Sequence, residues 1–181
     1  MVSNVRVRLA LPAEASDIVA LQRAAWTGDL LMGPLVDQMS ADDMVQVWHD
    51  AIVRPPLAHY RVLVALDDDR VVGFAAVGPS DDPDASERDS AVIDFLVDAA
   101  ARGQGHSSRL LNAVVDTMRA DGYVRATWWL RADDDALRSF LVGTGWGPDG
   151  AHREVSTDDE EVRVKQLRLH TDISPEGVTE G

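Results

Sequence analysis

Residues 92–118 read VIDFLVDAAARGQGHSSRLLNAVVDTM and carry the pattern that decides the fold. The stretch opens with apolar and β-branched residues, which are typical of a buried strand. After the small and polar residues RGQGHS at 102–107, apolar residues recur at helical spacing: Leu110, Leu111, Val114, Val115 and Met118. The stretch therefore predicts a strand, a glycine loop and an amphipathic helix.

The glycine loop is a candidate anion site. A helix that begins at a turn has backbone N–H groups without carbonyl partners, and its dipole adds partial positive charge at that end. Gly103 and Gly105 lack a Cβ, so the backbone can take a positive φ and an anion can approach, while Ser107 keeps the next position small. We expect a pyrophosphate there. The alternative is that the two glycines only close a tight connection.

Two common phosphate loops fit this stretch poorly. A dinucleotide-binding loop follows the opening strand of its fold as Gly-x-Gly-x-x-Gly, but Ser108 stands at the third glycine position. The motif also lies beyond the middle of the chain. A nucleoside-triphosphate loop ends in Gly-Lys-Ser or Gly-Lys-Thr, and the sequence contains neither triplet.

The loop closely resembles the acetyl-coenzyme A loop of the GNAT acetyltransferase superfamily. That loop is usually written Gln/Arg-x-x-Gly-x-Gly/Ala, and it follows a strand that ends in Leu-x-Val. Here Phe95-x-Val97 is followed by Arg102-x-x-Gly105-x-Ser107, with serine at the last small position. An amphipathic helix then follows, as it does in the superfamily.

Residues 134–146 resemble a second superfamily pattern, Asn-x-x-Ala-x-x-Phe-Tyr-x-x-x-Gly-Phe, and Phe140, Gly145 and Trp146 match its scaffold positions. The predicted order β-α-α-β-β-β-α-β-α-β-β over residues 5–169 is also that of the superfamily. The resemblance implies an α+β fold with a mixed, mostly antiparallel sheet, splayed between the fourth and fifth strands and flanked by about four helices. We predict one GNAT acyltransferase domain over residues 1–171 and a disordered tail over 172–181.

The resemblance also implies the reaction, which is transfer of an acetyl group from acetyl-CoA to a primary amine by direct attack in a ternary complex. The acceptor would be a small-molecule amine or a peptide N-terminus. A bulge in the central strand is implied, with the N–H of Val97 aimed at the thioester oxygen. The residues implied for pyrophosphate binding, mainly through their main chain, are Arg102, Gly103, Gln104, Gly105, His106 and Ser107.

The sequence departs from the superfamily in its proton-transfer groups. Leu141 occupies the position of the usual thiolate-protonating tyrosine, and Ala91 the position of a glutamate base that some members have. Asp94 is the predicted substitute base, because a carboxylate among apolar residues can have a raised pKa. The alternatives are that Asp94 pairs with a cation on a neighbouring strand, and that Asp89 acts instead. The departures also admit an acyl-CoA-binding sensor domain that has lost turnover.

Composition narrows the partners. The net charge of −14, from 31 acidic and 17 basic residues, disfavours nucleic acid and anionic membranes as partners. The acidic runs at 67–69, 81–82 and 158–161 are interpreted as solvated turns. The absence of cysteine excludes disulfides, and the histidine spacing predicts no metal site. Without a signal-like start or a membrane-length apolar run, we predict a cytoplasmic protein that is a possible homodimer.

Overall fold

The computed structural model describes residues 4–175. Within that range, the strands are β1 (Val5–Leu9), β2 (Arg61–Asp67), β3 (Arg70–Pro79), β4 (Asp89–Val97), β5 (Arg125–Arg131), β6 (Gly147–Ser156) and β7 (Arg163–Asp172). The α-helices are α1 (Ala15–Trp26), α2 (Gly33–Gln38), α3 (Ala41–Val53), α4 (His106–Ala120) and α5 (Asp135–Gly143). The predicted α+β class and order of elements are confirmed, with α2 added.

All strands form one sheet in the order β1-β2-β3-β4-β5-β7-β6. Neighbours are antiparallel except β4 and β5, which run parallel. This parallel pair is short, because residues 89–92 pair with residues 125–128 and the pairing then stops. The remainder of β4 has no partner on its β5 side, so the predicted splay between the fourth and fifth strands is confirmed.

Helices cover both faces of the sheet. On one face, Ile18 of α1 and Met44 and Trp48 of α3 pack with Val64 and Phe74 of the sheet. On the other face, α4 buries the apolar stripe that the sequence predicted, except that Val115 stays partly buried. The stripe repeats every three or four residues, so one side of α4 faces the sheet and the other faces solvent.

The helix starts follow from local chemistry. The Ser40 hydroxyl accepts a hydrogen bond from the N–H of Asp43 at 3.1 Å, which caps α3 as its sequence predicts. Asp134 caps α5 in the same way by accepting from the N–H of Leu137 at 3.1 Å. The sequence did not predict α2, a helix of 6 residues that has a proline in its first turn.

The acidic run at 81–82 is not simply a solvated turn, because the Asp82 side chain forms hydrogen bonds to two strands of the sheet. Its carboxylate accepts from the indole Nε1 of Trp129 at 2.9 Å and from the buried guanidinium of Arg168 at 3.0 Å. Arg168 also binds Asp84 and Asp149, and these carboxylates together raise its pKa. The prediction of a solvated turn was wrong because aspartates in a turn are usually exposed, whereas here they neutralise the charge of a buried arginine. The network ties the β3–β4 loop to β5, β6 and β7.

The described residues extend on both sides of the domain boundary predicted at residue 171, which stays a prediction. Asp172 ends β7, and the buried Ile173 donates its N–H to the carbonyl of Val124 at 2.9 Å. Asp172 thus pairs with the first residue of β5, and Ile173 belongs to the core on the α4 side of the sheet. Residues 176–181 of the predicted tail lie outside the described residues.

None of the helices within residues 4–175 combines the length and the apolar character needed to cross a bilayer.

Candidate active site

The central strand contains a one-residue bulge at Ile93. Ala76 of β3 pairs with Asp94, but the next residue, Val77, pairs with Val92, so Ile93 is an extra residue that is half exposed. Side chains alternate between the two faces of a strand, and an extra residue inverts that alternation. Val92 and Phe95 consequently share the α4 face, while Asp94 faces the helices α1 and α3.

The N–H of Val97 faces the gap between β4 and β5. Asp98 donates its N–H to the carbonyl of Val72 on β3 at 2.7 Å, and adjacent residues of an antiparallel pair alternate in direction. Val97 pairs with Gly73 in the intervening position, so its N–H points away from β3. On that side β5 has already separated from β4. The main chain of Val97 is therefore free to bind a ligand that enters the gap.

The glycine loop presents a run of open amides. Gly103 and Gly105 adopt φ values of 79° and 83°, and Gly105 precedes α4 without any side-chain cap. Within residues 4–175, no acceptor binds the consecutive backbone N–H groups of Gly103, Gln104, Gly105, His106, Ser107 and Ser108. Open amides at the start of a 15-residue helix attract anions, because the helix dipole adds partial positive charge.

Two arginines flank these amides without a carboxylate partner among the described residues. Arg102 precedes Gly103, and Arg109 lies one turn into α4; both are exposed and neither forms an ion pair. The Arg109 Nη1 lies 3.7 Å from the position that a Cβ on Gly105 would occupy. Arg109 was not among the residues predicted for the loop. Its place on the exposed face of α4, one turn after the glycine, could have indicated that its guanidinium lies beside the open amides.

Asp94 opens into a cavity of about 280 Å³ between the sheet and the helices α1, α2 and α3. The walls are mostly apolar and include Trp26, Trp48 and Tyr60, aromatics that sequence spacing alone would assign to the core. Burial raises the pKa of Asp94 to about 6. Burial and then the nearby Asp94 carboxylate raise the pKa of Tyr60 to about 12, so its hydroxyl keeps its proton.

Asp94 does not pair with a cation in the described part of the chain, which excludes the structural alternative raised by its sequence position. No Arg, Lys or His side chain there pairs with its carboxylate and no donor binds it, so burial alone raises its pKa. The Asp89 carboxylate, in contrast, is hydrogen-bonded through both of its oxygens. Its carboxylate binds Arg125 at 3.1 Å and accepts from the backbone and hydroxyl of Ser86. Asp94 therefore lines a cavity, whereas Asp89 holds the β3–β4 loop.

Comparison with known proteins decides the family. Residues 23–145 match the acetyltransferase (GNAT) family, which covers more than half of the chain. The chain belongs to this family. GNAT enzymes are acyltransferases that use acetyl-CoA as the acetyl donor. No curated protein matches the sequence.

Solved structures of GNAT proteins share the fold of this acetyltransferase. An N-acetyltransferase from Staphylococcus aureus Mu50 is 19% identical and superposes with a TM-score of 0.76, over 95% of this chain and 100% of that chain. A ribosomal-protein-alanine N-acetyltransferase from Brucella melitensis is 20% identical, with a TM-score of 0.74 over 92% and 99% of the two chains. The yncA protein from Salmonella typhimurium, with its cofactor acetyl-CoA, is 15% identical, with a TM-score of 0.73 over 96% of each chain.

The residues of this GNAT enzyme fit acetyl-CoA. Adding a Cβ at Gly103 would meet no atom within 4 Å, so the loop is open toward solvent rather than plugged by side chains. The open amides suit a pyrophosphate, and the β4–β5 gap offers main-chain groups for the pantetheine arm. No cluster of three or more His, Asp or Glu side chains within residues 4–175 could hold a metal ion.

The proton-transfer departures of this enzyme persist in three dimensions. Leu141 is fully buried in the α4-side core, so that position offers neither a donor nor access to the gap. Ala91 pairs with Thr127 in the short parallel ladder and carries no titratable group. Asp94 and Tyr60 are the titratable groups that line the cavity described above.

His106 contributes its backbone but not its side chain to the loop. The imidazole is 1% exposed, and neither ring nitrogen has a hydrogen-bond partner within the described residues. A buried polar group without a partner destabilises the folded state by roughly 1 to 3 kcal/mol in mutational data. The side chain therefore lies beneath the open amides, where an apolar residue of similar size would suit better.

We expect His106→Leu to increase the free energy of unfolding by about 1 to 2 kcal/mol, because it removes two unpaired nitrogens. Denaturant unfolding measures this change. The affinity for acetyl-CoA, measured by calorimetry, should stay within about twofold of the parent, since main-chain amides hold the anion. A large loss of affinity would instead assign the imidazole to ligand binding.

Proposed function

We propose that this protein is an N-acetyltransferase that moves the acetyl group of acetyl-CoA to a primary amine by direct attack in a ternary complex. The observation that carries the proposal is that β4 and the loop that follows it contain three features suited to the reaction. These are the open amides of residues 103–108, the outward N–H of Val97 and the unpaired carboxylate of Asp94. The first two suit the donor, and the third suits the acceptor amine.

The proposed donor site uses main chain and two guanidinium groups. The amides from Gly103 to Ser107, with Arg102 and Arg109 beside them, bind the pyrophosphate. When bound, acetyl-CoA supplies an activated thioester carbonyl as the electrophile. The N–H of Val97 stabilises the negative charge that develops on the carbonyl oxygen. Because these donors are fixed by β4 and α4, they need no reorganisation during the reaction.

Asp94 is the proposed base. An amine attacks only when neutral, so the enzyme must accept the proton that the ammonium or the newly formed amide loses. A carboxylate with a pKa of about 6 is ionised at neutral pH and is a stronger base than an ordinary aspartate. As the carbon–nitrogen bond forms, the carbon–sulfur bond breaks and CoA leaves as a thiolate, while the proton lost by the nitrogen passes to Asp94, directly or through water. Tyr60, whose hydroxyl stays protonated, holds a proton at the same cavity.

Initial-rate kinetics test the ternary complex. With acetyl-CoA and a primary amine both varied, we expect intersecting double-reciprocal lines and no thiol release before the amine is added. A stoichiometric burst of thiol without amine would mean an acetylated enzyme and would contradict direct attack. Tight acetyl-CoA binding with no thiol release for any amine would favour the sensor alternative, which the buried Leu141 motivates.

The acceptor in this proposal is a small amine or a peptide N-terminus. The structure of the described chain supports an amine acceptor through the negative charge at Asp94 and the net charge of −14 of the whole sequence. The cytoplasmic location and the homodimer predicted from the sequence stay predictions.

A further inference from the structure

The acceptor cavity combines one free anion with apolar walls. Its lining includes Trp26, Trp48, Met39 and Met44 and contains no Arg, Lys or His. The Gln22 side-chain oxygen is already occupied, because it accepts from the Trp48 Nε1 at 2.9 Å. Asp94 is thus the charged group that an occupant meets, and it has no partner among the described residues.

Arg23 contacts two residues of these walls but does not itself line the cavity. Arg23 packs against the sulfur of Met44, and its Nη1 donates to the carbonyl oxygen of Met39 at 3.2 Å. Its guanidinium is not part of the cavity lining. A carboxylate on an occupant would therefore meet Asp94 without a compensating charge, and like charges in such an environment repel.

The size of the cavity points to a small molecule. About 280 Å³ holds roughly nine waters at the volume of liquid water, which matches a body the size of an aromatic amine. Indole rings and thioethers bind aromatic bodies well, because they are flat or adaptable and polarizable. The two tryptophans and two methionines are therefore suited to an aromatic ring.

We propose that this cavity binds the acceptor as a primary amine on an apolar, aromatic-sized body that lacks a carboxylate, with its nitrogen against Asp94. The inference rests on the proposed function, because it identifies the acceptor class of that same site. The aromatic body fills the apolar part of the cavity, and the ammonium pairs with the carboxylate before proton transfer. Amino acids are rejected by charge, and short aliphatic amines lose the apolar contact.

Matched ligands test the acceptor class directly on the free enzyme. Phenethylamine, ethylamine, phenylalanine and phenylalaninamide are titrated against the intrinsic fluorescence of the enzyme, with calorimetry as a second readout. We expect phenethylamine to bind about tenfold to hundredfold more tightly than ethylamine or phenylalanine. Phenylalaninamide, which mimics a peptide N-terminus, should bind more weakly than phenethylamine. Equal or tighter binding of phenylalanine or its amide overturns the inference.

A charge placed on the cavity wall supplies the control. Val47 lines the cavity and is 58% exposed, whereas Val53, on the same helix α3, is 47% exposed and does not line it. We expect Val47→Arg to weaken phenethylamine binding by about tenfold or more, because the cation repels the ammonium. Val53→Arg should bind it like the parent. Equal effects of the two substitutions would overturn the assignment of this cavity.

Acetyl-CoA affinity separates this inference from the proposed function. Both arginine variants should bind acetyl-CoA like the parent, since neither valine belongs to the loop. If thiol is released with phenylalanine or a peptide but not with phenethylamine, the acetyltransferase proposal stands and the acceptor class is wrong. If acetyl-CoA does not bind the parent, the proposed function fails, and the amine titrations still decide what the cavity accepts.

Discussion

Gly105→Glu should weaken acetyl-CoA binding at least hundredfold while leaving the protein folded. The substitution places a carboxylate among amides that have no other acceptor within the described chain. Arg109, whose Nη1 lies 3.7 Å from the new Cβ, is positioned to bind that carboxylate. The side chain would thus occupy the pyrophosphate position and repel a second anion. Calorimetry with acetyl-CoA measures the loss.

The matched control for this variant is Gly122→Glu. Gly122 follows the other end of α4 and has a φ of 91°, close to the 83° of Gly105, and a Cβ there meets no atom within 4 Å. Both variants therefore add the same charge and a similar backbone strain, which is of order 1 to 2 kcal/mol for a left-handed residue. Both should lose similar stability, but only Gly105→Glu should lose acetyl-CoA affinity. Retained affinity in Gly105→Glu would remove the loop from the site.

The fold and the donor loop were predictable from the sequence because their signals are local. Apolar spacing and capping residues such as Ser40 and Asp134 mark the helices, and positive φ at Gly103 and Gly105 follows from glycine followed by a helix. The short α2 was not predicted because six residues are too few to show a helical periodicity. The buried Arg168 network was not predicted for a different reason. Its partners come from the β3–β4 loop and from β6, which lie far apart in the sequence, and nothing in the sequence pairs them with Arg168.

Residue alternation could not place Asp94 at the cavity, because a single inserted residue decides which face Asp94 occupies, and the resemblance implied a bulge in this strand without its position. Counting alternate residues from the buried Val92 would place Asp94 in the core beneath α4. The bulge at Ile93 inverts that pattern and turns the carboxylate toward α1 and α3. A sequence shows no bulge by composition alone. Trp26 and Trp48 are similarly ambiguous, since helical spacing is equally consistent with core packing and with a cavity wall.

Asp94→Asn should lower kcat/KM for the amine by about a hundredfold to ten-thousandfold, the usual contribution of a general base. Asparagine keeps the shape of the side chain but cannot accept the proton. The parent should also show an acidic limb in its profile of kcat/KM against pH, with a pKa of about 6, which the variant lacks. Acetyl-CoA affinity should be unchanged. A variant with parental kcat/KM would leave Asp94 without a catalytic role.

The same substitution should stabilise the fold at neutral pH. Because burial raises the pKa of Asp94 from 3.8 to about 6, the folded state binds a proton more tightly than the unfolded state between those values. The stability of the parent therefore falls as pH rises from about 4 to 6 and stays lower above that range. At 1.4 kcal/mol per pKa unit, ionisation of the buried carboxylate lowers the free energy of unfolding by up to about 3 kcal/mol. Asp94→Asn should therefore raise the free energy of unfolding above that of the parent at pH 8 and change it little at pH 4.

Asp121→Asn provides a control of opposite sign. Asp121 pairs with Arg61 at 2.9 Å, and this hydrogen-bonded pair lowers its pKa. Its stabilisation is present above the unfolded pKa and is lost as pH falls through the lowered folded pKa. The asparagine variant should therefore be less stable than the parent at neutral pH, with normal kcat/KM because Asp121 does not line the cavity. Urea unfolding from pH 4 to 8 separates the cases: a stabilised but inactive Asp94→Asn is the signature of a carboxylate kept unpaired for chemistry.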